Sequence, residues 1–158
     1  FVLDKKHKAA ISLELESQIK KFIYEFGFKP SHIDGHHHIH TEWAIMDCVI
    51  KLAKKYKITK IRLTRNIGEG ISLSKRIYKK ILNSKLKLSG IITTNYFGDF
   101  EDLKNFRLKE GDILELMVHA IPSRFEDQID DLDHQSLNEK VDDLMKFYQF
   151  EFINYSSL

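Results

Sequence analysis

The sequence predicts an α/β fold in which mainly parallel strands alternate with helices. Two observations lead there. Apolar residues recur at helical spacing in some segments and in short alternating or continuous runs in others, and the two kinds take turns along the chain. Glycine and proline stand where one kind gives way to the next, at Gly27 with Pro30, at Gly68 with Gly70, and at Gly111. That order implies right-handed βαβ units in a largely parallel sheet, whose sites form at the C-terminal ends of the strands. A length of 158 residues is that of one domain, 1–158.

The first helix is expected over 11–26, where Ile11, Leu15, Ile19, Phe22, Ile23 and Phe26 make one apolar stripe. Ser12 is its expected N-cap, with Glu14 and Glu16 in the first turn. Gly27 ends it and Pro30 confirms the stop. Residues 31–36 alternate and read as a short strand. A second helix covers 42–56, with Trp43, Met46, Ile50 and Ala53 turned inward and lysines at its C-terminal end. A strand at 58–63, a glycine-containing loop at 66–70 and a third helix to about residue 86 follow. An apolar strand at 91–94 leads into a loop at 95–99, then a short helix near 100–107 and a turn at Glu110-Gly111. The strand at 113–118 ends on His119, and a helix at 137–148 precedes a final strand at 150–155.

Five of the eight histidines fall within residues 32–40. Histidine is the commonest metal ligand, and its proton moves near neutral pH. Residues two apart in a strand share a face, which would put His32, Asp34 and His36 on one side. Three convergent polar side chains at a strand end suit a metal site. A solvated His-rich loop would show the same composition. A structural zinc site has less behind it, because Cys48 is the single cysteine and no Cys-x-x-Cys pair exists. His36, Arg62 with Arg65, Tyr96 and His119 all fall at or just past expected strand ends.

A hydrophobic content of 42% with 30% charged residues describes an ordinary globular protein. No apolar run approaches a membrane span and no signal-peptide pattern is seen, so no membrane partner is expected. A lone cysteine suits a reducing, cytoplasmic setting. The net charge of +2 hides an asymmetry. Residues 51–90 carry thirteen Lys or Arg and one acid, Glu69, whereas 99–151 carry fifteen acids and six bases. Lys51, Lys54 and Lys55, and Lys75 and Lys79, sit at helical spacing without interleaved aromatics. That pattern favours a solvated helix face over a nucleic-acid surface.

The stretch Phe22-Ile23-Tyr24-Glu25-Phe26-Gly27-Phe28-Lys29-Pro30-Ser31-His32-Ile33-Asp34-Gly35-His36-His37-His38-Ile39-His40 closely resembles the signature of the YdjC/ChbG-like carbohydrate deacetylases. Leu114-Glu115-Leu116-Met117-Val118-His119 is similar to that family's late strand, and Tyr96-Phe97-Gly98 and Phe152-Ile153-Asn154-Tyr155 match further stretches in the family's order. The resemblance implies a partial (β/α) barrel of the polysaccharide-deacetylase-like type. It also implies a metal-dependent hydrolase that removes N-acetyl groups from carbohydrates such as chitooligosaccharides, with Mg or Zn as cofactor. His36 would be one of three metal ligands, and His119 the acid that protonates the leaving amine. His38 would line the sugar cleft, Arg62 would bond sugar hydroxyls or acetate, and Tyr96 would stack on a pyranose face. Asp34 could orient an imidazole or simply bond local backbone. Bland readings stand beside these roles: a surface ion pair for Arg62, core packing for Tyr96, a capping or core position for His119.

The family opens with a strand bearing an Asn-Ala-Asp-Asp-Phe-Gly-like motif that supplies another ligand and the base, and nothing here resembles it. Phe1-Val2-Leu3 looks like the apolar stretch after the family's next metal histidine. The expectation is therefore a catalytic-type domain without its N-terminal strands and first metal motif. Such a chain would be inactive alone and would have bare sheet edges that favour homo-oligomers. A catalytically inactive remnant, or a metal- or nucleic-acid-binding domain of the same fold, is the alternative. After His119 the family has proline, whereas Ala120 follows here and Pro122 comes later.

Overall fold

The computed structural model describes residues 4–125 and 128–158. Helix α1, Lys5–Phe26, starts earlier than expected because Asp4 caps it in place of Ser12. The Asp4 carboxylate accepts the His7 N–H at 2.8 Å. Ile11, Leu15 and Ile19 of its stripe lie half-buried on the core, and no residue of α1 is fully buried. Helix α2, Trp43–Lys55, goes deepest, burying Ile45, Met46, Val49, Ile50, Leu52 and Ala53. Trp43 departs from the expected inward position. It is 47% exposed, and the Lys85 ammonium lies 4.4 Å from the centre of its ring, a placement that a cation–π contact at the surface supports. Helix α3, Leu73–Leu88, adds Leu82 and Leu86 to the core. Helices α4, Phe100–Leu103, and α5, Leu137–Phe147, are capped by Asp99 and Ser136.

The strands are shorter than the sequence suggests. Strand β1, Tyr96–Gly98, pairs in parallel with β2, Leu114–Leu116. The strands expected at 31–36, 58–63 and 91–94 reduce to single parallel bridges, Ile33 with Ile61 and Lys60 with Ile92. Backbone hydrogen bonds hold them, from Ile33 N–H to the Lys60 carbonyl at 3.0 Å and from Arg62 N–H to the Ile33 carbonyl at 3.1 Å. Segments that follow one another in sequence thus pair side by side. Residues 96–98 were expected in a loop, but Asn66 recruits them: its side-chain oxygen accepts the Phe97 N–H, and its own N–H donates to the Phe97 carbonyl. No ladder forms at 150–155. That segment is held by side chains, with Tyr155 stacked on His32 and its hydroxyl donating to Glu115. A small antiparallel pair unforeseen in the sequence joins β3, Ile121–Pro122, to β4, Ile129–Asp130.

The architecture is mixed α/β with few, short strands. Alternation along the strand segments does the sorting. Ile33, Ile61 and Leu63 join the core cluster, while Asp34 and Arg62 meet each other on the opposite side.

Candidate active site

Arg62 is the hub. It is a buried cation, 6% exposed, and such a charge is costly to bury unless it is paired and hydrogen-bonded. Its Nη2 lies 2.6 Å from Asp34 Oδ1 and 2.6 Å from His38 Nδ1. The guanidinium carbon sits 4.3 Å from the centre of the Phe97 ring. The Arg62 backbone carbonyl serves a third residue, His40, whose Nε2 is 3.2 Å away.

The tautomer of His40 follows from its partners. Nδ1 accepts the Gly35 N–H at 2.8 Å, so Nε2 carries the proton and donates to the Arg62 carbonyl. Burial and the neighbouring Arg62 charge push the His40 pKa down from 6.5 to about 4. The 3.6 Å approach of Asp34 to His40 Nδ1 is therefore a contact with a neutral ring. Asp34, for which an imidazole or local backbone was the expected partner, has Arg62 as its close one.

The expected shared face of His32, Asp34 and His36 is not formed. A 3-10 helix, His36–Thr41, begins where the strand was to end. Inside it His37 and His38 take left-handed backbone angles, φ 49° and 61°, each costing about 1–2 kcal/mol for a residue with a Cβ. Such strain persists where surroundings fix it and clusters at functional sites. Here the His38 N–H donates to the Gly35 carbonyl at 2.9 Å, and the Thr41 hydroxyl donates to the His38 carbonyl at 2.8 Å. The turn separates the histidines. His32 stacks on Tyr155 with ring centres 3.7 Å apart, His36 is exposed with its ring 4.0 Å from that of His37, and His38 turns to Arg62. Burial, then the charge of Arg62, lowers the His38 pKa, with smaller contributions from Lys79 and His119. With Nδ1 taken by Arg62, the ring proton of neutral His38 resides on Nε2.

His119 is exposed just beyond β2. Its backbone N–H donates to Asp131 Oδ1 at 3.0 Å. The structure thus brings Asp34, His38 and Arg62 to one neighbourhood. Tyr96 instead packs edge-on against Phe106, with ring centres 4.8 Å apart. Sequence reasoning missed Glu115 and Tyr155. Burial raises both pKa values, and their hydrogen bond joins segments forty residues apart. The one available signal was a carboxylate set between Leu114 and Leu116 in an apolar strand.

Among the described residues no three His, Cys, Asp or Glu side chains converge as a metal site requires. The donors present do not by themselves fit a metal ion.

The family described as YdjC-like protein matches residues 1–149. The chain belongs to the YdjC-like family. The matched span of this YdjC-like chain contains Asp34, the histidine tract, Arg62 and His119. It is similar to a carbohydrate deacetylase of Halalkalibacterium halodurans, 32% identical over 75% of this chain and 48% of the relative. A carbohydrate deacetylase of Clostridium beijerinckii is 33% identical over 69% of this chain and 42% of its own length. A chitooligosaccharide deacetylase of Escherichia fergusonii is 47% identical over 35% of this chain and 21% of its own. The YdjC-like chain therefore spans about half the length, or less, of the curated relatives it matches. No solved structure matches it. Among the described residues no helix is long and apolar enough to cross a membrane.

Proposed function

We propose that the chain is part of a carbohydrate deacetylase that hydrolyses N-acetyl groups on sugars such as chitooligosaccharides. The observation that carries this reading is similarity, over 69% and 75% of the chain, to two relatives named carbohydrate deacetylase. The Arg62 neighbourhood supplies groups such a reaction needs. Water adds to the acetamide carbonyl, the C–N bond breaks, and acetate leaves the amine, which must gain a proton. His119 is the proposed donor of that proton. In this proposal the His38 Nε2–H bonds a sugar hydroxyl; the Arg62 contact with its ring and the Asp34 contact with Arg62 support that role. Tyr96 as a sugar-stacking residue remains part of the proposal, from the family resemblance alone.

The proposal includes a divalent metal, Mg or Zn, with His36 as one ligand and the others outside the described residues of this chain. It extends to a cytoplasmic setting, consistent with the single cysteine, Cys48. It also takes the sequentially ordered parallel bridges 33–61 and 60–92 and the β1–β2 pair as part of a (β/α) barrel.

The test is acetate release from N-acetylated chitooligosaccharides by the whole protein, with bound metal measured in parallel. His36→Ala should lose metal and turnover together. Metal retained at wild-type stoichiometry would remove His36 from the ligand set, and no release by the unmodified protein would overturn the reading.

A further inference from the structure

His119 stands just past the paired part of its strand. Among the described residues the last backbone bond between the β1 and β2 segments runs from the Met117 N–H to the Gly98 carbonyl at 2.7 Å. Two residues later that pairing no longer fixes the chain, and Ala120 follows with no ring to restrict its backbone. What holds the backbone at His119 is the carboxylate of Asp131. Local structure brings the two together. β3 pairs with β4 in an antiparallel register that sets Ile121 against Asp130, so the residue after Asp130 returns beside those before Ile121. A turn then fixes Asp131: its N–H donates to the Gln135 carbonyl and its carbonyl accepts the His134 N–H, both at 2.8 Å.

Every oxygen of this carboxylate is used. Oδ1 accepts the His119 N–H at 3.0 Å and the Leu132 N–H at 2.8 Å, and Oδ2 lies 2.9 Å from Lys140 Nζ. Burial opposes its ionisation, but Lys140 and the two N–H donors outweigh that and hold the Asp131 pKa below the usual carboxylate value. Lys140 carries the constraint into α5. Its side chain is 12% exposed and that of Asp131 13%. Its ammonium also reaches Asp133 Oδ2 at 2.6 Å and lies 5.2 Å from the centre of the Phe100 ring. An ion pair so nearly buried loses much when one partner is removed. Phe100 opens α4 two residues after β1 ends at Gly98. One side chain therefore spans the chain leaving β1 and the chain leaving β2, and Asp131 is its link to the second.

We propose that Asp131, held by Lys140, is the positioning residue for His119, fixing the backbone from which the imidazole reaches the leaving amine. The inference deepens the deacetylase reading and rests on the role given there to His119. Asp131 touches no reacting atom. It acts by keeping His119 in place, where a displacement of about 1 Å is enough to cost on the order of 10²-fold in rate.

Two measurements test it. In the 158-residue chain, exchange of the His119 amide hydrogen should quicken about tenfold or more in Asp131→Ala, with α2 amides unchanged as the sign of an intact fold. Asp131→Asn should leave that rate near wild type, because its side-chain oxygen accepts the same two N–H groups. In the whole protein with its metal, Asp131→Ala should lower kcat by about 10- to 100-fold with KM and bound metal unchanged, and Asp131→Asn should bring it back to within about threefold. Placed on His119→Gln, Asp131→Ala should cause no further loss, as expected of two residues that act as one. Unaltered exchange at His119, no rescue by Asn, or an equal loss in both backgrounds would overturn the assignment. If Asp131→Ala fails to fold, Lys140→Met replaces it, with a smaller change in the same direction and rescue by Lys140→Arg. Failure of the deacetylase reading looks different: His119→Gln itself then leaves turnover unchanged, while Asp131 still governs exchange of the His119 amide.

Discussion

A side chain with two partners and a carbonyl with a third make Arg62 the residue on which the site turns. Its partner His40 contributes most through what it satisfies. Replacing His40 by Ala leaves the Gly35 N–H and the Arg62 carbonyl without their hydrogen bonds, and should cost about 2–4 kcal/mol in urea unfolding. The pH dependence has a definite sign. The folded pKa of about 4 lies below the ordinary 6.5, so the unfolded chain binds the proton first as pH falls. The stability tied to neutral His40 is complete above pH 6.5 and is lost as pH drops toward 4. His40→Gln should remove that part of the pH profile, and an unchanged slope would show that another group titrates. His119→Gln should lower turnover of the whole protein by about 10²- to 10⁴-fold with metal content unchanged; unaltered turnover would leave His119 a structural residue. At this scale the histidine tract was legible because composition marks it. The Arg62 hub was only partly so, since Arg62 lies more than twenty residues from Asp34, His38 and His40. The Glu115–Tyr155 bond is more distant still in sequence and left just one charged residue in an apolar run as its trace.

Helix α1 buries none of its residues fully, so its attachment relies on half-buried contacts and on one carboxylate. Glu16 Oε1 lies 2.7 Å from both Lys55 Nζ and the Tyr56 hydroxyl, and 3.3 Å from Lys20 Nζ. Together these donors hold its pKa down at about 2. A depressed folded pKa stabilises above the ordinary carboxylate value of 4.5, and the benefit disappears as pH falls through about 2. Glu16→Gln should therefore melt at a lower temperature than wild type at pH 7, with the gap closing at pH 2. A gap that persists in acid would mean that shape and not charge anchors the helix. The helices were largely legible because a 3.6-residue apolar period survives whatever packs on it. The strands were less so. Residues 31–36 carry the alternation of a strand, yet the turn at His36 and the left-handed pair after it stop the ladder at a single bridge. Residues 150–155 are rich in aromatic side chains, as a strand often is, but Tyr155 finds its partners through its ring and hydroxyl, and backbone pairing never forms.

For the molecule as a whole, the proposed metal site, of which this chain carries the ligand His36, makes one prediction. The 158-residue chain alone, supplied with Mg or Zn, should release no acetate from N-acetylated oligosaccharides. Sustained turnover would mean that the chain or a second copy completes the site. Among the described residues the strand edges beside Ile33 and β2 have no further partner, which should also make its sedimentation depend on concentration. The α/β class was legible in the alternation of periods, whereas the pairing of so few residues in each strand was not, because ladder length depends on partners far along the chain. Burial across the molecule is uneven: every buried apolar side chain among the described residues lies between Ile45 and Leu103, and neither α1 nor α5 holds one. Mechanically, this is a stiff middle with two looser arms. Amide hydrogens of α2, of 58–63 and of the inner face of α3 should outlast those of α1 and α5 in deuterium exchange, opening only with the whole chain. The two arms would exchange first and independently, and a uniform exchange rate along the chain would show that they are fastened as firmly as its centre.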